Sequence, residues 1–230
     1  MKHNKTIGII SASIIGVIFL VSVLIGVISP SRSYLRKLRS AMDIENPTTR
    51  KFSLKLAATY PGPYNIDQVC KIYEYIYNNW KYVNDPRGND YLSKASLTID
   101  NNFTGDCDDF AILIATAIES INGKTRISCV IDSATGEGHA FTEVYFKEEP
   151  QIIQKQINYH FQKFFDKLFG ISRVKTICYT PDGEKGNWLN LDWSSKYPGG
   201  RYIKYSKRII YYPMENYYIP EIRKKANFKN

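Results

Sequence analysis

The chain has 230 residues, which is enough for one folded domain with a substantial core and a short appendage, but too few for two average domains. Aromatic residues make up 14% of the sequence and charged residues 23%, which excludes a disordered chain. The formal charge of +9 is spread along the chain without a nucleic-acid-binding motif, so we expect no nucleic-acid partner. Four cysteines without a C-x-x-C pair are too few for a disulfide scaffold.

The first segment is uncharged from Thr6 to Ser31, and its apolar part covers residues 7–29. At about 1.5 Å per residue, such a helix is roughly 34 Å long, enough to cross a hydrocarbon core of about 30 Å. A secretory signal peptide has a shorter apolar region and a small-residue cleavage site, whereas this segment leads into a basic stretch. We therefore expect residues 1–33 to be an N-terminal transmembrane anchor and residues 7–29 to contact the lipid bilayer.

Basic residues flank both ends of this span, two before it and four within residues 32–39 after it. A basic cluster beside an apolar segment is suited to anionic lipid headgroups. The positive-inside tendency favours the cytoplasm for the C-terminal domain. Long domains can be translocated against a moderate charge bias, so the side of the membrane stays open.

Beyond the span, residues 34–59 are expected to be a helical connector that ends at the turn Tyr60-Pro-Gly-Pro63. The next helix begins near Ile66 and carries an apolar stripe at helical spacing, which predicts core packing. A loop is expected from about residue 84 to 102. The stripe consists of Ile66, Val69, Cys70, Tyr73, Ile76, Tyr77 and Trp80.

The middle of the chain predicts one buried helix followed by two strands. Residues 111–118 are almost entirely apolar and stop near Asn122-Gly123, so Cys107 falls in the first turn of this helix. Alternating and β-branched residues predict strands at 126–131 and 139–146, joined by a hairpin loop.

The last part predicts an inserted helix between strands. Helical spacing of apolar residues indicates an amphipathic helix over about 150–169. Residues 177–180 and 188–193 flank Pro181-Asp-Gly183 and predict a hairpin, and 202–212 predict a final strand. The core domain is therefore expected to span 60–212, followed by a basic tail at 213–230.

Three residues of this domain have settings that suit nucleophilic catalysis. A thiol reacts as its thiolate, and a helix N-terminus puts the positive end of the helix dipole beside the Cys107 sulfur. A neighbouring imidazole and a carboxylate behind it would complete the activation. His3 precedes the span and His160 lies on the inserted helix, so His139 is the natural imidazole and Asp192 the natural carboxylate.

Four local sequences identify a resemblance to the transglutaminase-like superfamily over roughly residues 60–200. The resemblance implies an α+β, papain-like fold in which a cysteine-bearing helix packs on an antiparallel sheet. It also implies that Cys107 is the nucleophile, His139 the general base and acid, and Asp192 the orienting carboxylate. The sequences are Gly105-Asp-Cys-Asp-Asp-Phe-Ala111, Thr125-Arg126, Gly138-His-Ala-Phe-Thr-Glu-Val-Tyr145 and Trp188-Leu-Asn-Leu-Asp192.

The oxyanion donors stay unassigned, with the backbone N–H of Cys107 as one candidate and Trp80 or an asparagine as a second. Asp106, Asp108 and Asp109 beside the thiol are expected to cap the helix; a divalent cation is the alternative. We expect no metal and no other cofactor. Glu143 is expected to be a structural strand residue.

The resulting hypothesis is a membrane-anchored cysteine enzyme that hydrolyses or transfers peptide or protein amide groups through a thioester. Peptide or protein hydrolysis is the first choice and acyl transfer to an amine the second. The alternative from another class is a catalytically inactive, membrane-tethered binding module with the same fold. The sequence does not indicate the oligomeric state.

Overall fold

The structure is a computed structural model that describes residues 31–86, 91–169, 176–182 and 186–221, with the side chains of 163–169 and 221 excluded. The expected membrane span at 7–29 lies outside these residues. Among the described helices, none combines the length and apolar character needed to cross a bilayer.

Six α-helices are described, and all six contribute residues to the main hydrophobic core. The residues that α5 buries run continuously from Asp108 to Ile118, which makes it the central helix. The helices are α1 (31–41), α2 (Pro47–Ala57), α3 (Ile66–Asn79), α4 (Ala95–Asp100), α5 (Cys107–Glu119) and α6 (Pro150–Phe169).

The described strands form one six-stranded antiparallel sheet and a short parallel pair. The sheet has the order β5-β6-β4-β3-β7-β8, and the short pair is β1-β2. The strands are β1 (Lys81–Tyr82), β2 (Thr104–Gly105), β3 (Thr125–Asp132), β4 (Gly138–Phe146), β5 (Tyr179–Pro181), β6 (Asn187–Asn190), β7 (Tyr205–Tyr212) and β8 (Tyr217–Glu221). The fold is therefore α+β, with the cysteine-bearing helix on an antiparallel sheet.

Helix α5 packs on β3 and β4 and is joined to the sheet by a buried hydrogen bond. The Thr142 hydroxyl donates to the Ala111 carbonyl at 2.6 Å. On the same core, Ile127, Ala140 and Val144 supply apolar side chains from the sheet. This packing fixes the first turn of α5 relative to β4.

The segment at 34–59 is more than a connector, because it contributes to the core. Leu35 and Leu38 of α1 and Leu56 of α2 are buried in the main core. Their helical spacing turns one side of each helix inward and leaves basic residues such as Arg36 and Lys37 exposed.

Two further segments differ from the sequence expectations. The expected loop at 84–102 contains α4, and the expected tail at 213–230 contains β8. Strand β8 forms because the turn at residues 213–216 returns the chain alongside β7, where Ile219 faces Ile210. The last strand before the tail begins at Tyr205 rather than at residue 202.

The inserted helix α6 has the expected bounds and packs on α3. A capping box of Asn65 and Gln68 begins α3. His160 of α6 is buried, with Nδ1 3.8 Å from Asp67 Oδ1 and Nε2 3.8 Å from Glu74 Oε2. The interactions with His160 and with Lys71, whose ammonium donates to Glu74 at 2.8 Å, together outweigh burial and lower the pKa of Glu74 to about 2.

A buried charged cluster stabilises the sheet itself. Glu143 is fully buried and pairs with the guanidinium groups of Arg126, at 2.8 Å, and Arg208. It also accepts hydrogen bonds from Ser128 at 3.0 Å and Tyr202 at 2.7 Å. Burial opposes the charge, but the two arginines lower the pKa of Glu143 to about 2.

Candidate active site

Cys107 is the first residue of α5, and the local sequence explains why the helix begins there. The Asp106 carboxylate accepts a hydrogen bond from the Asp108 N–H at 3.2 Å and caps the helix. Gly105 precedes the cap, and a Cβ there would lie 2.3 Å from Asp109 Oδ2. Only glycine therefore fits at position 105, where the end of β2 passes close to Asp109 in the first turn of α5.

The pairing of β6 with β4 brings Asp192 to His139. Register between the strands continues past β6, since the Leu191 N–H donates to the Thr142 carbonyl at 2.9 Å. His139 is the second residue of β4, and its Nε2 lies 2.9 Å from Asp192 Oδ2. The structure thus joins two of the residues singled out from the sequence across the intervening α6.

Asp192 is fully buried and held from three sides. Its Oδ1 accepts from the Ser194 N–H at 3.0 Å, and its own N–H donates to Asn190 Oδ1 at 3.2 Å. The Tyr73 hydroxyl of α3 donates to its carbonyl at 2.7 Å. These bonds fix the direction in which the carboxylate presents Oδ2 to the imidazole.

Cys107 lies beside this pair, since Cys107 and His139 line the same cavity and the charge of Cys107 acts on the imidazole. Burial by itself lowers the pKa of His139, but the hydrogen bond to Asp192 and the interactions with Asp192 and Cys107 raise it to about 10. The imidazole therefore holds its proton at neutral pH. With Nε2 directed at Asp192, Nδ1 is the ring nitrogen available to the thiol.

The three aspartates at the start of α5 form a compact acidic cluster. One oxygen from each of Asp106, Asp108 and Asp109 lies within 4.8 Å of the others. Asp109 Oδ1 accepts from the Ser93 N–H at 2.8 Å, whereas Asp108 Oδ1 is buried and has no hydrogen-bond partner within the described part of the chain. Burial and the neighbouring carboxylates raise the pKa of Asp108 to about 10 and that of Asp109 to about 6. The geometry shows helix capping by Asp106, and these oxygens are the ones that could bind a cation.

A cavity of about 900 Å³ opens beside Cys107 and His139. Helix α1 contributes Tyr34 to its lining, and strands β3 and β7 contribute Cys129 and Ile209. No local sequence pattern indicates this cavity, because it depends on the packing of α1 against strands distant in sequence.

Two aromatic residues near the thiol were also missed in the sequence. The rings of Tyr82 and Trp193 lie 4.7 Å apart. Burial, followed by the charges of Cys107 and Asp106, raises the pKa of Tyr82 to about 12. Trp193 directly follows Asp192, and this adjacency was the only indication in the sequence that Trp193 lies near the site.

Trp80, a candidate oxyanion donor, packs its ring edge against Phe110 with centroids 5.0 Å apart. Its indole Nε1 is buried and has no hydrogen-bond partner among the described residues. The structure thus places this side chain against the first turns of α5 and assigns it no acceptor.

One family model matches part of the chain. The family model described as the transglutaminase-like superfamily matches residues 50–158, which include Cys107 and His139 but end before Asp192. No curated protein matches the chain.

Solved structures give distant similarities. A putative cysteine protease from Cytophaga hutchinsonii is 23% identical, with a TM-score of 0.35, over 42% of this chain and 32% of that chain. EGTA-treated LapG from Legionella pneumophila is 16% identical, with a TM-score of 0.44, over 76% of this chain and 80% of that chain. Calcium-bound LapG is 17% identical, with a TM-score of 0.37, over 69% of this chain and 82% of that chain. Residues 50–158 of this chain are therefore similar to the transglutaminase-like superfamily.

Proposed function

We propose that the chain is a cysteine peptidase-like enzyme that hydrolyses amide bonds of peptides or proteins through a thioester at Cys107. The observation that carries this proposal is the His139 ring, whose Nε2 lies 2.9 Å from Asp192 Oδ2 and which lines the same cavity as Cys107. A nucleophile, a proton carrier and an orienting carboxylate are the parts that such chemistry needs.

In the proposed reaction, the Cys107 thiolate attacks the amide carbonyl carbon, and a C–S bond forms. The His139 imidazolium gives its proton to the leaving amine as the C–N bond breaks, which leaves a thioester. Neutral His139 then takes a proton from water, whose oxygen attacks the thioester and releases the acid. The thiolate and the imidazolium are restored. An amine in place of water would give transfer.

The backbone N–H of Cys107 is the proposed donor to the tetrahedral oxyanion. It lies at the first position of α5, where backbone N–H groups have no partner within the helix. The same helix end places partial positive charge beside the developing negative charge.

The test is the pH dependence of Cys107 alkylation by iodoacetamide in the full chain, read at each cysteine by mass spectrometry. We expect Cys107 to react at pH 6 nearly as fast as at pH 8, because the His139 imidazolium pairs with the thiolate. Cys129, half-buried in the same cavity, serves as the internal control, because it lies outside the proposed catalytic set.

The variant His139→Ala should slow the alkylation of Cys107 at pH 6 at least about tenfold and leave the alkylation of Cys129 unchanged. If Cys107 and Cys129 show the same ordinary profile, and the variant changes neither, the catalytic assignment is wrong. The inactive binding module would then be the better description.

We further propose that residues 7–29 anchor the domain in a membrane. The support is the uncharged, apolar composition of this segment and the exposed basic residues of α1 that follow it. The charge bias around the span favours a cytoplasmic domain.

A further inference from the structure

A row of four uncharged residues crosses the sheet beneath the cavity that holds Cys107 and His139. Ala140, Cys129, Ile209 and Pro220 occupy facing positions on β4, β3, β7 and β8, and all four line the cavity. At about 4.8 Å between strands, this apolar row is roughly 14 Å long. It begins beside His139 and ends at β8, the last strand in the sheet order.

The sides of the apolar row are also largely uncharged. The strand register puts Tyr211 on one side of the row and Ile131 on the other. Tyr34 of α1 stands over the Tyr211 side, with its hydroxyl 3.8 Å from Cys129 Sγ and its ring 5.3 Å from that of Tyr211. The result is a groove with an aromatic wall.

Charged groups border the cavity without occupying the row. Asp106 and Asp108 lie at the Cys107 end, and the exposed Lys207 lies beside Ile131. Arg208 also borders the cavity, but its guanidinium is buried against Ser128, at 2.9 Å, and Glu143. An apolar group that enters the groove therefore displaces water without leaving a buried charge unpaired.

We propose that the apolar row is a specificity subsite that receives a bulky apolar side chain of the peptide substrate, next to the amide attacked by Cys107. This inference rests on the proposed function and names its substrate class: peptides with an aromatic or branched aliphatic residue beside the cleaved bond. The volume of about 900 Å³ is within the usual range for ligand sites and admits such a side chain with its flanking backbone.

The experiment compares two neutral thiol reagents of similar length, chloroacetyl-phenylalaninamide and chloroacetyl-glutaminamide, on the full chain. The measured quantity is the ratio of their rate constants at Cys107, taken from mass spectrometry at low reagent concentration. A ratio cancels any change in the intrinsic reactivity of the thiol, so it tests the subsite even if Cys107 is not activated. We expect the phenylalanine reagent to be at least about tenfold faster.

Two variants change the apolar row, and one matched variant does not. Ile209→Asp puts a charge in the row and should bring the ratio to within about twofold of one. Cys129→Leu fills space beside His139 and should also lower it. Ile152→Asp makes the same change at an isoleucine of α6 that is 49% exposed and outside the cavity lining. The ratio of rate constants at Cys107 should therefore be the same in this variant as in the unmodified chain.

A ratio near one in the unmodified chain would overturn the inference, as would a ratio that neither Ile209→Asp nor Cys129→Leu lowers. The proposed function fails separately, through an ordinary pH profile of iodoacetamide labelling at Cys107. Circular dichroism of each variant verifies that a lowered ratio reflects a folded protein.

Discussion

Asp192 is the residue whose charge and position act most directly on the proposed proton carrier. Its Oδ2 faces His139 Nε2, while Oδ1 is occupied by the Ser194 N–H. Its negative charge is one of the causes that raise the pKa of His139 to about 10. A neutral side chain of the same shape separates the effect of charge from the effect of position.

The variant Asp192→Asn should lower the pKa of His139 substantially toward its ordinary value of about 6.5, since the amide can accept the Nε2–H but carries no charge. NMR titration of the histidine ring measures this directly. Peptide hydrolysis should fall more at pH 8 than at pH 6, because the imidazolium is lost earlier.

A raised histidine pKa also stabilises the fold. That contribution is fully present below about pH 6.5 and is lost as the pH rises through about 10.

The matched control for the Asp192→Asn titration is Asp67→Asn, which neutralises a carboxylate facing His160 instead. If Asp192→Asn leaves the His139 titration unchanged, the charge of Asp192 does not hold the imidazole proton.

At the scale of elements, the sheet depends on a buried charge that alternation alone would not predict. Glu143 on β4 pairs with Arg126 of the neighbouring β3 and with Arg208 of β7, and all three are buried. The carboxylate therefore compensates two guanidinium groups that have little access to water. Removing one member of such a cluster leaves uncompensated charge in the sheet.

Glu143→Gln should lower the free energy of unfolding by about 3–5 kcal/mol at pH 7, as expected when a buried ion pair loses one partner. Because the pKa of Glu143 is lowered to about 2, its stabilising effect is present above about pH 4.3 and is lost as the pH falls through about 2. The difference in the free energy of unfolding between the variant and the unmodified chain should therefore become smaller at acidic pH.

Urea unfolding of the full chain at several pH values measures this gap. Glu137→Gln is the matched control, because Glu137 is exposed on the loop that precedes β4. Equal stability of the two variants at pH 7 would show that the cluster is not a main source of sheet stability.

At the scale of the whole molecule, the proposed membrane anchor leads to a separate prediction. The full chain should sediment with membranes and resist extraction with alkaline carbonate. Ile18→Asp, at the centre of the span, should weaken this association, since a central charge costs about 3 kcal/mol on insertion. Leu97→Asp at an exposed position of α4 is the control. Equal carbonate resistance of both variants would contradict a span at 7–29, and a reporter active on one side of the membrane would give the orientation.

The sequence predicted best what local patterns determine. The first turn of α5, the hairpin of β3 and β4 and the bounds of α6 follow from periodicity and turn residues. Local motifs also led to the prediction of Cys107, His139 and Asp192 as site residues. Strand β8 was missed because pairing with β7, rather than its own short sequence, makes it a strand. The cavity was missed for a similar reason, since Tyr34 is about a hundred residues from Cys129 in sequence, and their contact depends on tertiary packing.

The order of the proposed catalytic residues along the chain has a consequence during synthesis. Cys107 leaves the ribosome first, followed by His139, and Asp192 comes only after α6 has been made. Until β6 pairs with β4, the imidazole lacks the carboxylate that holds its proton. A nascent or partly unfolded chain would therefore carry an ordinary thiol. The reactive form would arise only when the sheet is complete, which would spare neighbouring polypeptides from premature attack.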